Sequence, residues 1–339
     1  MPVRNAALAA IALFALAGLA PARADDAARL LRQAISAPTT TSFVGEVQTL
    51  EIGESQTQAS VYRIEHRAPD LTRRWYLAPQ SLYGDSILTH GEHRYSIDVQ
   101  RNRVIVDEND AIDDQVAMDD NFGLLTTNYR AESAPNETVA GQPCNVVMLE
   151  NKHTGQTVMR IWMDAKTHLV LQKERYAANG ALTSQTRFSN LRYTTAIPAQ
   201  VFQVPSGFTQ VKGSRHLQPS SDVNAAVKTA GFRAQSPRYL PEGFIPVTGD
   251  VTDVNGVRTL HLLYSDGIRT ISLFENEKDV AIDLSHYTAK SVRFENHDAQ
   301  YVEQGPITLL SWSEAGLHFA LVGELSRTEL IKIAASVVP

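Results

Sequence analysis

The chain has 339 residues, of which 43% are hydrophobic, 20% charged and 7% aromatic, a length that suits about two domains with a core each. Its formal charge of −6 comes without any Lys/Arg run, which excludes the clustered basic surface that a nucleic-acid partner requires. A single cysteine, Cys144, excludes an internal disulfide framework and any cysteine-rich zinc module.

Arg4 precedes an apolar stretch from Ala6 to Ala20, and Pro21 and Ala22-Arg23-Ala24 follow it. Small residues at the two positions that a signal peptidase reads, after a stretch shorter than the ~20 residues of a bilayer span, make Met1–Ala24 a secretory signal peptide. No cysteine follows it, so lipoprotein processing is excluded, and no later segment is apolar for long enough to cross a membrane. Cys144 stands before the apolar run Val146-Val147-Met148-Leu149, which favours burial of the thiol.

Asp25–Ser36 opens with acids and sets Leu30, Leu31, Ala34 and Ile35 on one face, a short amphipathic helix that ends before Pro38. From Thr41 the period becomes two. Phe43 and Val47, Tyr62 and Ile64, and then Tyr95, Ile97 and Val99 alternate with polar residues. Further strands are expected at Arg73–Leu77, Ser86–Thr89, Arg103–Val106, Asn145–Glu150, Thr157–Asp164, His168–Tyr176 and Leu182–Tyr193, punctuated by glycine turns. Short turns between them favour antiparallel pairing. The acidic stretch Asp107–Asp120 interrupts the pattern, and Phe122, Leu125 and Tyr129 in Met118–Tyr129 predict a helix laid across the open face of the sheet.

Pro198, Pro205, Gly207, Gly213 and Pro219 mark 197–221 as a linker between a first domain, 25–196, and a second, 222–339. In the second, Asp222–Ala230 reads as a helix stopped by Gly231. Val257–Tyr264 and Ile268–Phe274 flank Ser265-Asp266-Gly267, a strong hairpin signal, and Ile307–Trp312 pairs with His318–Val322. Ser326 and Glu329 form a capping box before Leu330, Ile333, Ala334 and Val337. The second domain is therefore small and α+β.

Chemistry is scarce. The chain has no G-x-S-x-G, no phosphate-binding glycine loop and no H-E-x-x-H. His90 and His93 flank a turn, which makes them solvated rather than a metal pair. Read from Asp107, the acidic stretch has Ala111 and Ile112 where a calcium loop needs an oxygen ligand and glycine. No catalytic residue, metal site or cofactor is assigned. What remains is a set of apolar and aromatic strand positions that need a cover: Phe43, Val47, Tyr62, Ile64, Trp75, Leu77, Tyr95, Ile97, Val147, Leu149, Ile161, Met163, Leu169 and Leu171. They read either as plain core or as an apolar cleft for an acyl chain, each buried methylene being worth about 0.8 kcal/mol.

Val139-Ala-Gly-Gln-Pro-Cys144 with Val146–Leu149, then Arg160-Ile-Trp162-Met-Asp164-Ala-Lys-Thr167 with Leu169, Leu171 and Glu174-Arg-Tyr176, are similar to strand signatures of the RseB/MucB family of periplasmic sigma-E regulators. Tyr239-Leu-Pro-Glu-Gly-Phe244, Leu263-Tyr-Ser-Asp-Gly267, Ile271-Ser-Leu-Phe274 and Gly323-Glu-Leu325 resemble the C-terminal domain of that family. The stretch Thr41–Asp110 departs from the family pattern, and Trp75–Ile105 within it resembles a generic lipoprotein-carrier-type sheet. The resemblance implies an α+β protein: an antiparallel half-barrel sheet covered by helices, like a lipoprotein carrier, plus the smaller second domain. It implies a periplasmic stress-response regulator, not an enzyme. Such a protein binds the periplasmic segment of a transmembrane anti-sigma factor, shields it from proteolysis and releases it on a lipid or lipoprotein signal. A lipoprotein or lipid carrier is the alternative.

Overall fold

Two-residue periodicity from Phe43 onward is realised as a mixed α+β protein, mostly strands, with one open 12-stranded sheet and a smaller 7-stranded one. The computed structural model describes residues 24–53, 56–91, 93–108, 122–213, 223–254, 257–277, 284, 288–305 and 307–338. Residues 1–23, all but the last of the expected signal peptide, and residues 109–120 of the acidic stretch lie outside the described residues.

The first sheet comprises β1 (Phe43–Ile52), β2 (Thr57–Arg67), β3 (Leu71–Ala78), β4 (Ser86–His90), β5 (His93–Asp98), β6 (Arg103–Glu108), β7 (Tyr129–Val139), β8 (Gln142–Asn151), β9 (Thr157–Asp164), β10 (Val170–Tyr176), β11 (Leu182–Tyr193) and β12 (Thr209–Lys212). Their spatial order is β12-β6-β5-β4-β3-β2-β1-β11-β10-β9-β8-β7. Every ladder is antiparallel except that of β12, which runs parallel to β6. Residues 197–213 thus return to the first sheet: a short 3-10 turn, Ala199–Phe202, precedes β12. Ile197 and Phe202 are buried against Leu88, Ile97 and Val104, and Arg73 donates to the carbonyl of Gln203 at 3.0 Å. The apolar side chains at 197, 201, 202, 204 and 208 turn a proline-spaced segment into a strap.

Two helices differ from expectation. The first, α1 (Ala24–Thr40), runs through Pro38 instead of stopping before it. Thr39 and Thr40 hydroxyls donate to the carbonyls of Ser36 and Ala37, and the Pro38 carbonyl finds a donor in His66 at 2.8 Å, so the end disturbed by proline is capped by side chains. The second, expected over 118–129 and across the sheet, spans Phe122–Asn128 among the described residues, 118–121 lying outside them, and Tyr129 already opens β7. Seven residues are two turns, too short to cross a sheet. It sits at the β7 edge, with Leu125 as its one large buried side chain; the cover is α1.

A two-residue strand, β13 (Ser236–Pro237), pairs with Val337–Val338. The second sheet, β14 (Ile245–Val254), β15 (Val257–Ser265), β16 (Thr270–Asn276), β17 (Lys290–Phe294), β18 (His297–Gln304), β19 (Ile307–Glu314) and β20 (Leu317–Gly323), has the order β14-β15-β16-β20-β19-β18-β17 and is antiparallel throughout. Helices Val223–Thr229 and Arg327–Ala334 pack on one face, where Leu260, Leu262, Ile271, Leu273 and Phe319 form the core. Ser326 caps the latter helix, accepting from the Glu329 amide at 3.2 Å.

Candidate functional site

Strand register decides which face each apolar residue occupies. Thr49 stands opposite Thr186, Thr186 opposite Lys173, Lys173 opposite Ile161 and Ile161 opposite Val147. Residues two apart share a face, so Val47, Ile161, Met163, Val147 and Leu149 lie together. Phe43 faces His66 and Val47 faces Tyr62 on β2, which adds Phe43, Tyr62 and Ile64. These eight form the face under α1, clustered with Ala27, Leu31, Ala34 and Ala37.

The other candidates lie elsewhere. Trp75 opposes Arg63 on the reverse face, and Tyr95 and Ile97 join it through Leu88 and Ser86. There Tyr95 and Ile97 pack under the strap, and Trp75 lies between the guanidinium groups of Arg63 and Arg73. Leu77 falls at an irregularity of β3 and is 41% exposed. Leu169 and Leu171 flank a second irregularity, in β10, and pack with Trp162, Cys144 and Phe188. Burial pushes the Cys144 thiol up to about 11, which makes it a poor nucleophile at neutral pH. His90 and His93 face each other across the β4–β5 hairpin, and among the described residues no group of three or more His, Cys, Asp or Glu side chains is placed to hold a metal.

The face under α1 is closed in this structure. Val147 and Met163 have 0% exposure, and the remaining six are buried. The cover is thin, however: of the four α1 side chains buried on it, three are alanines and only Leu31 is large. Its C-terminal end is pinned by His66, whose Nε2 donates to the Pro38 carbonyl and whose Nδ1 accepts from Thr72 at 2.8 Å, with the ring stacked on Phe43. Burial lowers the His66 pKa below the ordinary 6.5, although the Pro38 carbonyl and Asp70 act the other way. A depressed histidine pKa means that the unfolded chain binds the proton more readily, so the stability contribution is full above about pH 6.5 and lost as the pH falls. His66→Gln is therefore expected to flatten the loss of stability between about pH 7.5 and about pH 5.5, measured as urea midpoints. Parallel losses in both proteins would show that another group carries it.

At the far end of the same cluster the two domains meet. The turn between β15 and β16 enters the first domain, where Ile268 joins Leu125, Tyr129 and Leu31. Behind it Asp266, 0% exposed, accepts from the Tyr129 hydroxyl at 2.6 Å, from Arg269 Nε at 2.9 Å and from the amides of Ile268 and Arg269. Asn128 donates to the carbonyls of Gly243 and Asp266, both at 3.0 Å, and accepts from His153. Burial, reinforced by the Asp266 charge, raises the Tyr129 hydroxyl far above its ordinary range; it stays a donor. Arg175 pairs with Glu324 across the domains, and Gly53 lies so close to Gly305 that a Cβ would fall 2.2 Å from its carbonyl oxygen. The sequence marks Asp266 as a turn residue and as part of the Leu263–Gly267 family resemblance, and singles out neither Asn128 nor Arg269. The one available signal was an aspartate-glycine turn flanked by apolar residues.

The second domain carries two further polar features. His261 bridges Asp250 and Ser272, each at 3.0 Å, and stacks on Phe274. A recess of about 830 Å³ is lined by Ser291, Gln300, Ser311, Trp312 and His318 among others.

The family model described as the MucB/RseB N-terminal domain matches residues 26–205, more than half of the chain. The chain belongs to the MucB/RseB family. A domain of unknown function, DUF4367, matches residues 235–337. Among solved structures, MucB in complex with MucA(peri) is similar at a TM-score of 0.61 and 17% identity, covering 93% of this chain and 99% of that one. The Pseudomonas aeruginosa MucA/MucB complex gives 0.62 and 16%, with 93% and 99% covered. MucB alone gives 0.56 and 16%, with 94% and 100% covered. At these identities the likeness is one of fold, and it extends over both sheets. No curated protein matches the chain. No helix among the described residues is long and apolar enough to cross a membrane.

Proposed function

We propose that this protein is a periplasmic negative regulator of an extracytoplasmic stress sigma factor. It binds the periplasmic part of a transmembrane anti-sigma factor, shields that segment from proteolysis, and senses a lipid or lipoprotein acyl chain on the apolar face under α1. The observation that carries this reading is the likeness over both domains to MucB solved with MucA(peri); a carrier needs no second domain docked on the first. The chemistry agrees with binding rather than catalysis: the well-ordered polar groups serve the domain joint and the sheet faces. Shielding is steric, and a ligand releases the partner only by preferring a domain arrangement that the partner does not.

The test uses purified mature protein and the periplasmic segment of a single-span anti-sigma factor from the same organism. Co-purification and a slowed cleavage of that segment by its first protease are expected. Absence of binding by the intact protein overturns the regulator. Transfer of bound lipid to acceptor vesicles with no binding of the segment would establish the carrier instead.

A further inference from the structure

The apolar cluster under α1 is not completed by the first domain alone. Its last member is Ile268, delivered by the β15–β16 turn of the second domain and held between Leu125, Tyr129 and the α1 side chains Ala27 and Leu31. The approach is tight: a Cβ on Gly267, which has φ +99°, would meet the Leu125 backbone nitrogen at 2.5 Å and its Cα at 2.7 Å. Asp266 fastens the turn from behind, through Tyr129 on the first domain and Arg269 on its own strand pair. Asn128 grips it from the side through the Asp266 carbonyl, and also donates to the carbonyl of Gly243, outside the turn. We infer that the Ser265–Arg269 turn is a removable plug: it occupies the end of the apolar site under α1, so an acyl chain in that site and a seated second domain exclude one another.

Exclusion follows from packing. Protein interiors hold few voids larger than a water molecule, and the cluster around Val147, Ile161 and Met163 is closed at 0–1% exposure. An acyl chain enters only by moving something. The strands cannot yield, being paired on both sides over most of their length. The movable parts are α1, which covers the site mainly with alanines, and the plug, which belongs to a different domain. Expelling Ile268 unseats Asp266 from Tyr129 and so frees the second domain to change its angle to the first. Ligand occupancy is thereby converted into domain geometry without a relay through the sheet. The inference deepens the proposed acyl-chain sensing and rests on that reading.

Gly267→Ala is the sharpest probe. The new methyl collides with main chain of the first domain rather than with a flexible side chain, and the φ of +99° strains an alanine besides, so the turn is driven out; the ladder that starts at Ser265 and Thr270 holds the hairpin. Cis-parinaric acid, a fluorescent fatty acid, is titrated into the full mature chain and its Gly267→Ala and Ile268→Ala variants. Circular dichroism checks each fold, and spin labels on exposed positions of the two domains report their separation. Removing a competing occupant raises apparent affinity by the inverse of the open fraction; for Gly267→Ala a Kd lowered by about tenfold or more is expected. The fatty acid is also expected to widen the inter-domain distance distribution of the unaltered protein toward that of the variant. Should Gly267→Ala fail to fold, Ile268→Ala gives the same two readouts from an emptied rather than displaced plug. Equal affinities in all three proteins, or fatty acid bound with no change of distance, overturn the plug and leave acyl binding standing. No binding by any of them removes both.

Discussion

Replacing Asp266 by alanine is expected to lower the free energy of unfolding by about 3–5 kcal/mol, the range found when one partner of a buried ion pair is deleted. The carboxylate is 0% exposed and satisfies four donors. Its removal leaves the Arg269 guanidinium, with 27% of its side chain exposed, only the Tyr129 oxygen to donate to, and leaves the Tyr129 O–H and two amides without their acceptor. Tyr129→Phe deletes one donor and no charge, so about 1 kcal/mol is expected there. The shape of the transition changes as well. With the joint intact the domains protect one another; without it each unfolds at its own midpoint, and a single urea transition followed by tryptophan fluorescence and circular dichroism separates into two. A loss below about 1 kcal/mol with one transition retained would mean that the apolar cluster around Ile268 holds the joint without its carboxylate.

That joint marks the limit of what local pattern reveals. Thr157–Asp164 and Leu182–Tyr193 occur with the ends that alternation and flanking turns predict, because strand period and turn chemistry are properties of neighbouring residues. Face and partner are not. Tyr95 and Ile97 alternate as cleanly as Tyr62 and Ile64, yet point with Trp75 to the reverse side, and only the register through Arg63, Arg73 and Leu88 shows it. Irregularities at Val61/Tyr62 and Val170/Gln172 move residues off the count that a reader of the chain would make. The return of 209–212 to pair with β6 spans about a hundred residues of sequence and leaves no periodic trace in a segment dominated by proline and glycine. Asp266 was legible as a turn former; that the turn is buried in another domain depends on Leu125 and Tyr129, which are distant in the chain.

Among the carboxyl groups Glu275 is pushed far from ordinary acid–base behaviour, and its consequence runs opposite to that of His66. Glu275 lies on β16 between Leu260 and Phe319, in the apolar core of the second domain, with 0% exposure. One oxygen accepts from the Gln235 amide at 2.8 Å; the other has no partner among the described residues. Burial pushes the carboxyl from 4.5 up to about 7, and the Gln235 bond offsets only part of that. The folded chain therefore keeps a proton that the unfolded chain gives up, and between those two values stability falls as the pH rises; the gap corresponds to about 3 kcal/mol. Above about pH 7 the loss is complete, and below the ordinary carboxyl value it vanishes. Glu275→Gln has nearly the same shape and never ionises, so it is expected to unfold at a higher denaturant concentration than the unaltered protein at about pH 8, by about 2–3 kcal/mol, and to match it at about pH 4. Urea melts at the two pH values check this, His66→Gln serving as the control whose slope has the other sign. Equal midpoints for Glu275→Gln and the unaltered protein at the higher pH would mean that the carboxylate finds a donor inside the core when it ionises, and that the unpartnered oxygen is not left without one.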